Sequence, residues 1–328
     1  MKIIKIIITI VNKLLNALFF LSLIGFLALI LSAAWVLVPV QQEEPVEKII
    51  EIPYGYNSSE IRLLLEEEGL IRPHNYIFPI VTKMLKIDSK LQSGEYQLSS
   101  SQNLLQIIEL LVKGKVIRYR ITIPEGFQHR QIARLLADRK IVDYDGFIEL
   151  IKENTQYKEG YLFPDTYEFP KKFGAENVLK AMQKNFEEVV YKQVNPDQQF
   201  PEGLNFTQII ILASIIEKEA LGTEDKPRIA SVFYNRLSKG MLLQSCATVQ
   251  YLLDKPQERL REKDLAIDSP FNTYLYPGLP PEPICNPGLE SIIAAVHPAQ
   301  EDYLYFVLGK EGKHIFSKTY QEHLNNKP

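Results

Sequence analysis

"EIPYGYNSSEIRLLLEEEGLI" (51–71) and "TIPEGFQHRQIARLLADRKIV" (122–142) are two versions of one pattern. Pro53 aligns with Pro124, Gly55 with Gly126, Ile61 with Ile132, and Leu64 and Leu65 with Leu135 and Leu136. Each copy reads as a short strand, a Pro-x-Gly turn, and an amphipathic helix whose apolar residues recur three and four apart. A second helix follows in both, over "PHNYIFPIVTKML" and "YDGFIELIKE", and after the first copy "SGEYQLS" carries a strand signal. Residues 48–99 therefore read as strand, helix, helix, strand.

Toward the N-terminus the chain changes in kind. After Lys2, Lys5 and Lys13 no charge occurs from Leu14 to Val40, longer than the roughly 20 apolar residues that cross a bilayer. Residues 14–40 are a transmembrane helix candidate. Lysines precede the span and "QQEEP" follows it, so the positive-inside rule keeps 1–13 in the cytoplasm and exports the rest. A cleaved signal peptide is the alternative, disfavoured because its apolar region typically runs only about 7 to 15 residues. Both readings export the body of the protein.

Toward the C-terminus, the second copy leads into "EGYLFPDTYEFP" (159–170), where aromatics alternate with prolines. Helices are expected over 177–194, from an N-cap at Thr207 through the "LASIIEKEA" run, over "KPRIASVFYNRLSKG" with Gly240 as C-cap, over "ATVQYLL" and over "LESIIAAVHP". Strands are expected at "MLLQS", "YLYFVLG" and "HIFS", and a last short helix from Lys318. Between them lies the irregular "DSPFNTYLYPGLPPEPICNPG" (268–288), too rich in Tyr, Phe and Pro for disorder. The fold class is α+β. Its order and size make the first copy similar to a LysM-like βααβ module, a glycan-binding fold, placed at 46–118, with a mixed α+β domain over 119–328.

The 328 residues are 46% hydrophobic and 23% charged, with a net charge of −3 and no basic block. Nucleic acid is thereby excluded as a partner, because phosphate binding needs a concentrated positive footprint. No metal site or cofactor is expected: His74, His129, His297, His314 and His323 are scattered, without HExxH spacing, and there is no CxxC. Cys246 and Cys285 fall in an exported region where a disulfide persists. They are a disulfide candidate, with two buried thiols as the alternative.

The run Leu212–Ala220 poses the chemical question. Residues 209–213 are apolar all round, so the helix belongs in a core, and Glu217 stands where the apolar part stops. It shares a face with Ile210, Ala213 and Ser214, while Glu219 points elsewhere. Burial and the negative helix end would both favour a neutral carboxyl, the form that donates a proton to a leaving oxygen. The bland reading is an exposed glutamate paired with Lys218 or Arg228.

"LASIIEKEA", "RIASVFYNRLSKGMLLQSCATVQYLL", "SPFNTYLYPGLPPEPICNPGLESIIAAVHPA" and "YLYFV" together resemble the endolytic murein transglycosylase family (MltG, also called YceG), as do "IPEGF" and "EGYLFPDTYEF". The resemblance implies Glu217 as the catalytic residue. Many members carry Asp where this chain has Cys246, which puts any need for a carboxylate there in doubt. It also implies cleavage of the MurNAc-β-1,4-GlcNAc bond of peptidoglycan without water, leaving a 1,6-anhydro end. One carboxylate suffices for that, because the sugar's 6-hydroxyl is the nucleophile and its proximity replaces a bound water. Asn235, Gln244, Thr248, Asn272, Thr273 and Tyr274 are candidate substrate-binding groups, with Tyr161 and Tyr276 as stacking partners; His297 reads as a cap or packing residue.

Two other readings stand beside this one: a muramidase with Asp268 as second carboxylate, and a non-catalytic glycan-binding membrane protein. The expected partners are peptidoglycan strands, the membrane and cell-wall synthesis proteins. The expected location is the bacterial inner membrane, single-pass, with the catalytic domain outside the cytoplasm.

Overall fold

The computed structural model describes residues 2–327 except 42, 74, 254 and 256; His74 of the histidine set thus lies outside the described residues. The chain forms two compact units, Met1–Arg118 and Tyr119–Pro328.

The first unit begins with α1 (Lys2–Leu37). Its stretch Ile10–Leu31 is long and apolar enough to cross a membrane, and none of it is buried in the protein. Arg72 secures the end of this helix: its guanidinium lies 4.4 Å from the Trp35 ring centroid and donates to the Pro39 carbonyl at 3.2 Å. Then come β1 (Glu47–Ile52), α2 (Ser58–Glu67), α3 (Ile77–Met84), β2 (Gly94–Ser99) and α4 (Leu104–Lys113). Strands β1 and β2 pair antiparallel, Glu47 opposite Ser99 through Ile52 opposite Gly94. Their inward residues Ile50, Ile52, Tyr96 and Leu98 meet Ile61 and Leu65 of α2 in one core. The expected strand, helix, helix, strand order is present, extended by α4.

The second unit opens by repeating that order. It runs β3 (Tyr119–Thr122), α5 (His129–Asp138), α6 (Tyr144–Glu153) and β4 (Thr166–Phe169), with β3 and β4 antiparallel. The closing strand β4 lies inside the Pro-rich "EGYLFPDTYEFP" and is absent from the pattern-based reading. The repeat holds in detail. Gly55 and Gly126 both take positive φ, 86° and 76°, the turn conformation that only glycine adopts without strain. The backbone NH of Leu70 returns to Leu65 and that of Ile141 to Leu136, at 2.9 and 3.0 Å.

The rest of the unit is α7 (Ala175–Val190), α8 (Phe206–Glu219), α9 (Lys226–Ser238), α10 (Cys246–Tyr251), α11 (Glu262–Leu265), α12 (Leu289–Val296), the antiparallel hairpin β5 (Tyr305–Leu308) with β6 (His314–Ser317), and α13 (Tyr320–Asn326). Every residue of α8 from Ile209 to Ile216 is buried, packed against α9 and α12, as its all-round apolarity requires. Its N-cap is Asn205, in a capping box with Gln208, rather than Thr207. The Asn side chain accepts the Gln208 NH and the Gln side chain returns to the Asn205 NH. Gly240, with φ of 65°, sits one residue past the Lys239 C-cap of α9. "MLLQS" is not a strand. Gln244 has φ of 50°, a left-handed turn that breaks extended pairing.

Candidate active site

Glu217 ends the buried part of α8 with a side chain only 10% exposed. Its surroundings are not the apolar pocket expected from sequence. Oε2 accepts from Ser291 Oγ at 2.6 Å, from the Gly288 NH at 3.1 Å and from Lys226 Nζ at 3.3 Å. Gly288 is the N-cap of α12. The carboxyl therefore leaves the C-terminal end of one helix and meets the N-terminal end of another. Oε1 accepts no hydrogen bond from any described residue. One oxygen is clamped and the other is free.

A second carboxylate shares the cation. Glu125, in the turn of the second repeat, lies 3.8 Å from Lys226 Nζ, and Lys226 itself is almost fully enclosed. Partial burial and the charge of Glu217 push the Glu125 carboxyl up, against the pull of Lys226. A Cβ on Gly288 would fall 2.0 Å from Glu125 Oε1, so the glycine makes room for this side chain. The same turn reaches Glu217 through Gly126, whose ideal Cβ would sit 3.5 Å from Glu217 Cγ.

Asn286, fully buried, holds three segments together. Its Oδ1 accepts the NH groups of Gly160 and Leu162 at 3.0 and 2.9 Å. Its Nδ2 donates to Phe127 O at 3.0 Å and to Glu159 Oε1 at 2.8 Å. Its backbone also exchanges hydrogen bonds with Gly126 and Phe127. One residue away, Cys285 Sγ donates to Ser214 O at 3.3 Å, and the Ile284 NH donates to Ser214 Oγ at 3.0 Å. The 284–288 loop is thus fastened both to α8 and to the turn carrying Glu125. Gly160 takes φ of 90°, and a Cβ there would meet Pro283 at 2.7 Å.

Glu159 accepts the His129 NH at 3.1 Å, capping α5, and lies 3.6 Å from His129 Nε2, which has no hydrogen-bond partner among the described residues. Burial pushes the Glu159 carboxyl up to about 8 and the His129 imidazole down to about 4. Between pH about 4.5 and 8 the folded protein holds a proton on Glu159 that the unfolded chain has lost, so this group makes stability fall as pH rises. His129 acts oppositely between about 4 and 6.5, where the unfolded chain holds the extra proton and stability rises with pH. The two offset below about pH 6.5, and a net decline is expected from there to about 8. Glu159→Gln keeps an acceptor and turns an amide toward His129, and should abolish that decline. Denaturant midpoints of both proteins at the two ends of this window test it, and equal declines would remove Glu159 as the source.

Several of the candidate binding residues are spent internally. Thr248 and Thr273, both buried, share a hydrogen bond at 2.9 Å, and Thr273 Oγ1 accepts the Ser245 NH. Asn272, also buried, donates to Leu265 O and Ile267 O and accepts the Tyr274 NH. Asn235 donates to Glu301 O and Tyr303 O. These four spend side-chain hydrogen bonds on other segments of the polypeptide, because a polar group inside an apolar run finds its partner in the chain itself. Tyr161 packs its ring on Phe186, with its hydroxyl 3.4 Å from Thr207. Gln244 is exposed, its backbone NH bonded to Thr273 O. Asp268 is exposed and accepts the Tyr276 hydroxyl.

The cysteines are not bridged. Cys246 is exposed with Sγ 3.0 Å from Tyr274 Oη, while Cys285 is fully buried against Ser214. The different partners rule out the shared geometry a disulfide needs. A thiol reagent should accordingly modify one cysteine of the folded protein, Cys246, and the second only after unfolding. Mass analysis of labelled peptides checks this, and a linked peptide pair would refute it. Among the described residues no group of three His, Cys, Asp or Glu side chains could hold a metal.

Glu125, Lys226, Gly288, Ser291, Asn286 and Glu159 are the residues that sequence reasoning did not single out. The only signal was their place inside the quoted "IPEGF", "KPRIAS", "CNPGLES" and "EGYLF" stretches.

Comparisons with known proteins identify the family. The pattern of the YceG-like family matches residues 50–328. An endolytic murein transglycosylase of Bacillus subtilis is 36% identical over 310 residues, covering 87% of this chain and 85% of its own. One from Streptococcus pneumoniae is 29% identical, covering 94% of this chain and 64% of its own longer length. The crystal structure of a yceG-like protein from Listeria monocytogenes superposes with a TM-score of 0.55 at 35% identity, over 86% of this chain and 99% of that one. With the family pattern extending over both units and over every residue of the Glu217 cluster, this chain belongs to the YceG-like family.

Proposed function

We propose that the chain is a membrane-anchored lytic transglycosylase that cleaves the MurNAc-β-1,4-GlcNAc bond within peptidoglycan strands, leaving 1,6-anhydroMurNAc ends and so trimming or terminating nascent chains. The observation that carries this reading is the half-clamped carboxyl of Glu217, with Oε2 held by three donors and Oε1 unoccupied by protein. Oε1 gives its proton to the glycosidic oxygen as the C1–O bond breaks, and the GlcNAc leaves with a 4-hydroxyl. Lys226, Ser291 and the Gly288 NH stabilise the carboxylate so formed. That carboxylate then takes the proton of the 6-hydroxyl as its oxygen bonds to C1, which restores the acid. Gln244, Tyr274 and Tyr161 are the remaining candidates to contact the sugars.

Glu125 favours a second reading, hydrolysis with two carboxylates, because it shares an ammonium with Glu217. Digestion of purified peptidoglycan with mass analysis of the ends decides between them: anhydro ends are expected, and reducing ends would establish the hydrolase.

The βααβ order of the first unit supports a LysM-like glycan-binding role, with cell-wall synthesis proteins as further partners. The apolar span in α1 supports a single-pass anchor in the bacterial inner membrane. The lysines preceding it support a cytoplasmic N-terminus, so a topology reporter fused to the C-terminal end should be active only outside the cytoplasm. Activity inside would reverse the orientation.

A further inference from the structure

On another flank of the α8 C-terminal turn lies a cleft of about 440 Å³ whose lining includes Lys218 and Glu219 but not Glu217. Arg130 and Arg134 enter it from α5, and Lys255 from the segment after α10. None of these four cations forms an ion pair with a described carboxylate. Arg130 is held open by neutral acceptors, Gln128 Oε1 at 2.6 Å and Leu253 O at 2.9 Å. Arg134 is exposed, its guanidinium 5.9 Å from the Tyr144 ring centroid. The acid in the wall, Glu219, accepts from Ser245 Oγ and the Ala247 NH, and burial pushes its carboxyl up, which weakens its counter-charge. This local excess of positive charge stands against a net charge of −3 on the whole chain.

The cleft adjoins the reaction site through Lys218. Its Nζ is 3.5 Å from Gly126 O, and the position of a Cβ on Gly126 would touch both Lys218 Cδ and Glu217 Cγ, at 3.4 and 3.5 Å. Lys218 therefore belongs to the cleft wall and also flanks the turn that touches Glu217.

We propose that this cleft binds the carboxylates of the peptide stem borne by the muramic acid at the cleavage point. The proposal rests on the lytic reading above. In peptidoglycan the stem springs from the lactyl ether of the same sugar ring whose C1–O bond is broken, so its acidic residues pass near the proton donor in any productive pose. Four cations with no carboxylate partner among the described residues offer that stem charge-assisted hydrogen bonds. A neutral, stem-free sugar would gain nothing from them. The cleft selects stem-bearing strands and fixes which muramic acid faces Glu217.

The test uses the full-length protein in detergent with two substrates, glycan strands bearing stems and the same strands stripped by an amidase. The wild type should show a KM about tenfold lower on stem-bearing strands, a preference that fades at high salt. In the double variant Arg134→Gln, Lys255→Gln, both exposed positions, the preference should shrink about tenfold through KM rather than kcat. Equal KM values for the two strands with the wild type, or an undiminished preference in the variant, overturns the proposal while leaving the lytic reading in place. Absence of anhydro ends from both substrates overturns the lytic reading, and this one with it.

Discussion

Glu217→Gln should yield a folded protein that still binds glycan strands but no longer cuts them. The amide keeps the size of the side chain and can still accept from Ser291 and Gly288, so the fold has no reason to change. What it lacks is a proton to give. General acid–base groups contribute about 10² to 10⁴ in rate, and a sugar alkoxide is a poor leaving group, so the loss should reach at least that range. Release of anhydro-ended fragments measures it, with circular dichroism and strand binding as controls for folding. Glu219→Gln should retain most activity, because Glu219 bonds Ser245 and Ala247 elsewhere. Asp268→Asn, at an exposed site beside Tyr276, should cost far less than Glu217→Gln. Near wild-type cleavage by Glu217→Gln would leave the carboxylate a mere helix end, and an inactive but folded Asp268→Asn would point to a two-carboxylate hydrolase.

The second large effect is expected on stability. Asn286→Ala strands the NH groups of Gly160 and Leu162 and leaves Glu159 short of a donor, all in buried surroundings. Each unsatisfied buried group costs about 1–3 kcal/mol, so a total of about 3–5 kcal/mol is expected. For a unit of this size that lowers the melting temperature by roughly 10 °C or more. Cleavage should fall as well, since the turn carrying Glu125 and the loop carrying Gly288 lose their common tie. A melting temperature within a degree or two of wild type would mean that the segments are held by packing alone.

Much of the architecture was written in local patterns. The repeat followed from apolar spacing and two glycines, and the burial of α8 followed from its lack of any polar face. Chemistry at Glu217 was legible in position but not in environment. Its partners Gly288 and Ser291 come from 71 and 74 residues away, and Asn286 reaches Phe127 across 159. No window of sequence contains such pairs, so the expectation of a dry pocket was the best that local apolarity could supply. The missed strand β4 and the mistaken strand at "MLLQS" have the same kind of cause. Long-range pairing rescued a Pro-flanked segment, and a single left-handed residue, Gln244, broke an apolar one. Thr248, Thr273 and Asn272 looked available because their partners could not be seen.

The two Pro-x-Gly turns show what a duplicated unit makes possible. In both, glycine carries the positive angle and the NH of the next residue makes a return bond that does not depend on the middle side chain; it runs from Tyr56 to Pro53 and from Phe127 to Pro124, each 3.4 Å. The middle position is therefore free to diverge without cost to the fold. In the first copy it is Tyr54, 95% exposed; in the second it is Glu125, drawn to Lys226. One turn geometry can in this way serve two ends, its middle side chain alone deciding whether the turn faces water or the lysine beside Glu217.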